Sequence, residues 1–376
     1  MELTVLDQNF AKIYILESYE SLIWVDRFNE PGAFELYSPV TDDILTYFKP
    51  NYYLTNDESE HTMIIEDISI ESDIENGNKI KIIGRSLESL LDRRIIWDES
   101  SDAISFKEGH NLQKAIRKLV ERNISSSTKN KIAARRITNF TLDDPSTDTS
   151  ITSLTLVDGA QYNGSNTLLD VVQSLCSANN IGFKVILEGD KFVFSLYNGI
   201  SRDYSQDERP YVVYSPEFDN VLNSNYKEEN SIIKNVALIS NGDESDLIIQ
   251  TVGTETGINR RELYVDAGDV TNQIKQEDDD ETESTITRNQ VKKLMVQRGK
   301  EELANIARSV KTFDAKCDTT TMYVYGKDFF MGDIVQLENE YGIKSRSRVT
   351  EFTWSSSTSG METYPTFISI EGEVGS

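Results

Sequence analysis

Short segments in which apolar and polar residues alternate, separated by turn-forming dipeptides, constrain this chain more than any other feature of its sequence. The clearest case flanks Asn76-Gly77, a dipeptide that supplies the positive φ angles of a tight hairpin turn. Its alternating apolar positions are Ile68, Ile70, Ile80 and Ile82. Because period-two alternation places one face of a strand against a core, the sequence predicts antiparallel β structure with one buried and one solvated face.

Three regions follow from the distribution of such patterns. Residues 1–97 carry three predicted hairpins and indicate an antiparallel sheet or barrel. Residues 98–205 combine two helical patterns, one capped by Asn111 and one beginning near Asn166, with a hairpin, and therefore predict an α+β domain. Residues 206–376 return to strand patterns, interrupted by an acidic arm near 266–288 and an amphipathic helix near 289–310. The fold class predicted is mainly β with α+β modules.

Two residues carry specific packing predictions. Gly299 lies in the middle of the last helical pattern, where glycine costs about 1 kcal/mol relative to alanine, so we expect close packing against a neighbouring element. Cys176 falls on the apolar stripe of the second helical pattern and is expected to be a small core residue. Cys317, 141 positions later, has only polar neighbours, so a disulfide framework is not expected and a reducing compartment is indicated.

The charge balance limits the partners of the chain. The 376 residues include 63 acidic and 38 basic side chains, which gives a formal net charge of −25. A surface that neutralises phosphates needs clustered Lys and Arg, so specific nucleic-acid binding is not expected. No run of about 18 apolar residues is present, so no membrane anchor is expected. The first ten residues lack the basic and apolar parts of a secretory signal, so no signal peptide is expected.

Residues suited to catalysis or metal binding do not form a recognisable motif. The two histidines, His61 and His110, have no partner at zincin spacing, and the nucleophile elbow, phosphate-binding loop, dinucleotide fingerprint and Cys-x-x-Cys are absent. We expect His61 to be solvated and His110 to be a polar residue just before a helix. The acidic run from Glu277 to Glu283 favours a solvated loop over a weak Ca²⁺ site, because it lacks the ligand spacing of a calcium loop. The sequence therefore assigns no catalytic, cofactor-binding or metal-binding residue and predicts no cofactor.

Two other functional classes stay open at this stage. A cell-wall hydrolase needs two carboxylates facing each other across a cleft, and 63 acidic residues provide many candidates without singling out a pair. A carbohydrate-binding adhesin is suggested by 17 Tyr, 15 Phe and 3 Trp in a β-rich chain. We expect most of these aromatic residues to be core or interface residues, because they follow the strand alternation.

Several segments resemble one known family in the order in which they occur. The segments IWVDRFNEPGAFEL and GRSLESLLDRRIIW resemble the opening domain of tail hub proteins from long-tailed phages and prophages, the structural part of tail-associated lysins. The segment NTLLDVVQSLCSANNIGFKVILEGDKFVFSLYNG resembles their second domain. The segments YSPEFDNVLNSNYKEENSIIKNVALI and YGKDFFMGDIVQLENEYGIKSRSRVTEFTW resemble the stretches that complete it.

This resemblance implies a fold and an assembly. The family has two tube-like antiparallel β-barrel domains, here 1–97 and 206–376, and a small α+β domain, here 98–205, which can be interleaved. Three copies are expected to form a ring that caps the sixfold tail tube and passes DNA through its channel. The implied partners are the distal tail protein, the tail tube, the tape-measure protein and fibre or tip proteins, in the tail tip or baseplate of a virion. Assembly in the cytoplasm of the bacterial host is the expected localisation. The family supplies no catalytic residue, so we expect no enzyme activity.

Overall fold

The computed structural model describes most of the chain. The described residues are 1–73, 77–97, 103–107, 109–156, 160–229, 231–268, 270, 275–277, 283–285, 287–307, 311–317 and 322–370. Asn76 of the predicted hairpin turn and residues 278–282 of the acidic run lie outside them.

The first part of the chain forms antiparallel strands, as the alternation predicts. Its elements are β1 (Leu3–Leu6), β2 (Lys12–Leu16), β3 (Ser21–Arg27), β4 (Ala33–Pro39), α1 (Asp42–Tyr47), β5 (Tyr53–Thr55), β6 (Met63–Asp73), β7 (Gly77–Ser86) and a 3₁₀ helix (Leu87–Arg93). β6 and β7 form the predicted hairpin, in which Ile68 lies opposite Ile82. Ile80 and Ile82 are buried, whereas Ile70 is about half exposed, so only part of the alternating face is covered.

The middle of the chain forms an α+β module. Its elements are β8 (Ala103–Phe106), α2 (Leu112–Asn123), a 3₁₀ helix (Ala133–Arg135), β9 (Phe140–Leu142), α3 (Thr149–Thr152), β10 (Ala160–Asn163), α4 (Leu168–Ala178), β11 (Gly182–Glu188) and β12 (Lys191–Tyr197). The Asn111 side chain caps α2 by accepting from the Lys114 N–H at 3.0 Å. Thr167 and Asp170 form a capping box at the start of α4. The chain leaves α4 through Asn180 in the left-handed conformation, with φ 55°.

The last part of the chain contains strands and one long helix. Its elements are β13 (Val213–Tyr214), a 3₁₀ helix (Pro216–Phe218), β14 (Val221–Glu228), β15 (Val236–Ser240), β16 (Ile249–Val252), a 3₁₀ helix (Gly257–Asn259), β17 (Glu262–Asp266), β18 (Lys275–Glu277), β19 (Glu283–Thr285), α5 (Arg288–Ala307), β20 (Lys311–Cys317), β21 (Ile334–Glu338), β22 (Lys344–Ser357) and β23 (Gly360–Ser369). α5 packs on the small sheet β16-β15-β17. The predicted close approach at Gly299 is present, because an added Cβ would lie 2.7 Å from Ile239 Cδ1.

One large sheet organises the molecule. Thirteen strands of the described chain belong to it, in the order β14-β20-β23-β22-β3-β4-β7-β6-β5-β1-β2, with β21 and β13 branching from β22. The mainly β class with α+β modules is therefore confirmed. Among the described strands the sheet is open and no pairing joins its two ends, so the predicted barrels are not closed by hydrogen bonds within one chain.

The large sheet interleaves the two ends of the sequence. β22 pairs with β3 over seven residues, and Trp354 lies opposite Trp24 in this register. The same core holds Trp24 and Phe34 from the first part together with Phe352 and Phe367 from the last. The implied interleaving is confirmed, while the boundaries proposed at 97 and 205 stay a prediction. A second core fills the α+β module and includes Cys176, which is fully buried as expected.

Candidate assembly surfaces

The open sheet presents a terminal strand at each end. β2 pairs only with β1, and β14 pairs only with β20, within the part of the chain that the structure describes. A terminal strand exposes a row of unpaired N–H and C=O groups that can pair with another chain. Ile15 on β2 is half exposed, so this edge also offers an apolar side chain. The two edges are the surfaces of the sheet best suited to assembly.

Four residues from distant segments form a buried polar joint behind the sheet. Asp26 lies on β3, Ser59 and His61 lie in the loop before β6, and Glu88 lies in the 3₁₀ helix after β7. The Ser59 hydroxyl donates to the Asp26 carboxylate at 2.7 Å, and the Trp24 indole N–H donates to the same group at 3.1 Å. The prediction that His61 is solvated is wrong, because the ring is only 4% exposed.

The joint also binds the α+β module to the sheet. His61 Nδ1 lies 3.1 Å from Glu88 Oε1. Glu88 Oε1 in turn accepts from the Val185 N–H of β11 at 2.9 Å. A carboxylate shared between an imidazolium and a backbone amide of another module fixes the position of β11 relative to the sheet.

The charges of the joint determine its protonation. Burial by itself would lower the pKa of His61, but the charges of Asp26 and Glu88 outweigh this effect and raise it to about 9. Burial would raise the pKa of Glu88, yet the His61 charge and hydrogen bonds lower it below its ordinary value. Burial raises the pKa of Asp26, with His61 and Ser59 acting against the shift. At neutral pH the joint therefore contains a protonated His61 beside an ionised Glu88.

A second set of buried ion pairs fixes the crossing between the α+β module and β21. Asp333 accepts from Arg202 Nε at 2.6 Å and from the Ile200 N–H at 2.8 Å. Asp203, whose side chain is fully buried, accepts from Arg346 Nε at 2.7 Å. These bonds hold the chain after β12 against β21 and β22.

Glycines bring the backbones together at this crossing. A Cβ on Gly199 would lie 1.9 Å from the Gly332 carbonyl carbon, and a Cβ on Gly332 would lie 2.4 Å from Phe28 Cε2. Gly332 also has φ 86°, a conformation that side chains rarely adopt. Residues larger than glycine do not fit either position without displacement of the neighbouring element.

A cleft lies beside the pairing of β3 with β22. It has a volume of about 230 Å³ and is lined by Arg27, Glu30, Arg348 and Glu351 among others. Its Glu351 carboxylate is held by Arg27 Nε at 2.9 Å, so this group is engaged in an ion pair. No group of three or more potential metal ligands occurs in the described residues.

The remaining residues singled out from the sequence occupy structural positions. His110 is partly buried beside Phe106, with ring centroids 5.0 Å apart, just before α2 as predicted. Burial raises the pKa of Cys176 far above its usual range, so its thiol is inert. Cys317 ends β20, and its side chain lies outside the described residues. Of the helices that the structure describes, none is long and apolar enough to cross a membrane.

Comparisons with known proteins give one consistent result. The family model described as Siphovirus ReqiPepy6 Gp37-like protein matches residues 2–367. A tail protein from Neisseria meningitidis MC58 is similar in structure, with a TM-score of 0.57 at 13% identity, covering 98% of this chain and 96% of the other. The 43 kDa tail protein of prophage MuSo2 from Shewanella oneidensis gives 0.57 at 12% identity, covering 98% of both chains.

A third solved structure agrees with these two. The prophage tail protein gp18 from Listeria monocytogenes EGD-e gives a TM-score of 0.50 at 14% identity, covering 99% of this chain and 95% of the other. At such low identity these structures show a shared fold. No curated protein sequence matches the chain.

Proposed function

The chain belongs to the Siphovirus ReqiPepy6 Gp37-like family, and on this premise we propose that it is a non-catalytic structural protein of a phage-like tail, acting as the hub at the tail tip. The structures of similar fold carry the description of tail proteins. The observation that carries the proposal is the open 13-stranded sheet, whose end strands β2 and β14 each have one edge without a partner strand among the described residues. An edge of this kind is available for pairing with a strand of a further copy.

The proposed assembly is a ring of three copies that caps the tail tube. An interface that joins two different surfaces of the same chain closes into a ring when the rotation between copies allows it. β2 of one copy and β14 of the next provide two such surfaces. In this ring the distal tail protein and tail tube lie on one side, with fibre or tip proteins on the other, and the tape-measure protein ends at the channel.

The channel of the ring is proposed to be acidic. The net charge of −25 gives the protein a field that repels phosphates at long range. An acidic wall lets DNA pass without adhering to it. In a structure of the ring, carboxylates are therefore expected along the axis, and a neutral or basic channel contradicts this part of the proposal alone.

The experiment that tests the ring is a mass measurement on the full chain. Mass photometry over a concentration series is expected to show a species of three times 42.7 kDa, and averaged electron-microscope images are expected to show threefold symmetry. A monomer that persists at micromolar concentration, alone and with the distal tail protein, contradicts the proposal.

One observation favours a second candidate, a carbohydrate-binding adhesin at the tail tip. Tyr204 and Tyr211 are exposed together, with ring centroids 5.2 Å apart. The buried Asp203 holds their loop in place through Arg346. Exposed tyrosine rings suit sugar faces. Binding of purified wall glycans by the protein, lost in a Tyr204→Ala/Tyr211→Ala variant, supports this candidate, and equal binding by both proteins contradicts it.

A further inference from the structure

A concentrated basic surface lies on the α+β module of this strongly acidic protein. Residues 109–142 carry eight basic side chains and one acidic side chain, although the whole chain has a net charge of −25. The basic side chains are Lys114, Arg117, Lys118, Arg122, Lys129, Lys131, Arg135 and Arg136. A local excess of positive charge in an acidic chain indicates a surface that binds a negatively charged partner.

Two of these cations, Arg135 and Arg136, and the neighbouring Arg94 donate to backbone carbonyls and have no carboxylate partner among the described residues. Arg94 Nε donates to the Arg135 carbonyl at 3.0 Å, and Arg136 Nε donates to the Asn130 carbonyl at 2.7 Å. Arg135 donates to the carbonyls of Ile95 and Trp97. Carbonyl partners orient a guanidinium without neutralising its charge.

The surroundings of these arginines show the same excess of positive charge. Burial and the Arg94 charge lower the pKa of Arg135, and burial and the Arg93 charge lower that of Arg94. Lys129 does have a carboxylate partner, Glu121 at 3.2 Å, but its side chain is 67% exposed. We term Arg94, Lys129, Lys131, Arg135 and Arg136 the basic face.

The basic face borders exposed apolar side chains. Ile95 and Trp97 are 46% and 42% exposed. Trp97 lines a shallow cleft with Arg122, Lys131 and Arg135. Interfaces between proteins combine an apolar or aromatic centre with a charged rim, and this surface has both parts.

A matching acidic surface lies beside the terminal strand β2. Glu17 follows β2, and Asp42 and Asp43 begin α1; all three are exposed and have no ion pair within the described chain. Tyr14 of β2 stacks on Tyr47 of α1 with ring centroids 5.0 Å apart, which places α1 beside β2. Burial first, and then the charge of Asp43, raises the pKa of Tyr14. The half-exposed Ile15 supplies an apolar side chain at the same place. We term Glu17, Asp42 and Asp43 the acidic edge.

We propose that the basic face of one copy docks on the acidic edge of a second copy of this chain, with Trp97 and Ile95 packing beside Ile15 at the centre of the contact. The inference rests on the ring proposed above and adds to it a second contact, beside the pairing of β2 with β14. One chain carries both charged surfaces, which do not pair with each other within its described part. They are two different faces, as closure of a ring requires. Complementary charge fixes the register of the contact and speeds association.

The test uses charge reversal followed by charge exchange in the full chain. Lys129→Glu/Lys131→Glu is expected to lower the association constant at least about tenfold, since like charges then face each other. Asp42→Lys/Asp43→Lys is expected to have a similar effect. The variant with all four changes restores the opposite signs and is expected to recover most of the association.

A matched control separates the contact from net charge. Lys327→Glu/Lys344→Glu changes the charge by the same amount on another exposed surface and is expected to leave assembly unchanged. Mass photometry supplies the readout at two salt concentrations, because exposed ion pairs weaken as salt increases.

The other outcomes of these measurements contradict either the docking inference or the ring itself. A wild-type trimer that persists unchanged in both reversal variants overturns the docking inference and leaves the ring intact, whereas a wild-type monomer overturns the ring as well. A different result is that assembly stays unchanged while the wild type binds a fluorescent single-stranded DNA and Lys129→Glu/Lys131→Glu does not. This result identifies the basic face as a nucleic-acid surface and overturns the inference. If the variant with all four substitutions does not recover assembly, the pairing of these two surfaces is overturned.

Discussion

His61 Nδ1 lies 3.1 Å from the Glu88 carboxylate although both side chains are almost completely buried. Removing one partner of a buried ion pair leaves the other charge unpaired in the protein interior, which costs about 3–5 kcal/mol. We expect His61→Gln to lower the free energy of unfolding by about that amount in urea denaturation. The control Arg27→Gln breaks the partly exposed pair with Glu351 and is expected to cost about 1 kcal/mol or less. Equal effects of the two changes contradict the role given to the joint.

The same pair gives the protein a defined pH dependence. The pKa of His61 rises from 6.5 to about 9 on folding, so the folded state binds this proton more tightly than the unfolded state. The stabilisation of the folded state by this proton is fully present below pH 6.5 and is lost as the pH rises through 9. The difference in unfolding free energy between wild type and His61→Gln is therefore expected to shrink between these pH values. A difference that stays constant over this range contradicts a charged His61.

Gly332 supports the crossing between the α+β module and β21. A Cβ at this position meets the Phe28 ring at 2.4 Å, and φ is 86°. Gly332→Ala is expected to lose about 2–4 kcal/mol of stability, from overpacking and from the strained backbone together. Gly342 has a similar φ of 75° and nothing within 4 Å of an added Cβ, so Gly342→Ala isolates the backbone term at about 1–2 kcal/mol. Thermal unfolding of both variants measures the difference.

The parts of the fold that the sequence predicts are those encoded by neighbouring residues. The β6–β7 hairpin, the Asn111 cap, the left-handed Asn180 and the close packing at Gly299 each follow from a few adjacent residues. The resemblance to long-tailed phage proteins is also confirmed, because it rests on such local patterns in a fixed order.

Long-range contacts account for what the sequence does not predict. The polar neighbours of His61 predict a solvated ring, yet the ring is buried and interacts with the charges of Asp26 and Glu88 from other segments. The pairing of β22 with β3 joins residues more than 300 positions apart, and alternation alone does not select the partner of a strand. The basic face was likewise hidden by the overall acidic charge, although the excess of basic residues in 109–142 is a signal that a count by segment reveals.

The interleaving of the sheet predicts that the first half of the chain does not fold alone. In a fragment of residues 1–205, β3 loses β22 as its neighbour, and Trp24 loses Phe352 and Trp354 from its core. We expect this fragment to lack the near-ultraviolet circular dichroism of packed tryptophan and to bind a hydrophobic dye. Co-expression with residues 206–376 is expected to restore the near-ultraviolet signal and to abolish dye binding. A fragment that unfolds cooperatively by itself contradicts this account.

The terminal strand β2 gives the sharpest test of assembly through a sheet edge. Ile15 is about half exposed on this strand, so Ile15→Lys is expected to leave the fold intact, because the new side chain extends into solvent. A lysine on an edge strand opposes pairing with another chain, since pairing would bring its charge into the interface. We therefore expect unchanged thermal stability of the monomer together with loss of the trimer in mass photometry.

Ile258→Lys is the matched control for this substitution. Ile258 is 96% exposed and lies beside the small sheet β16-β15-β17, so the same substitution there is expected to preserve the trimer. If Ile15→Lys assembles as well as Ile258→Lys does, β2 is not an assembly edge, and the ring must close through other surfaces.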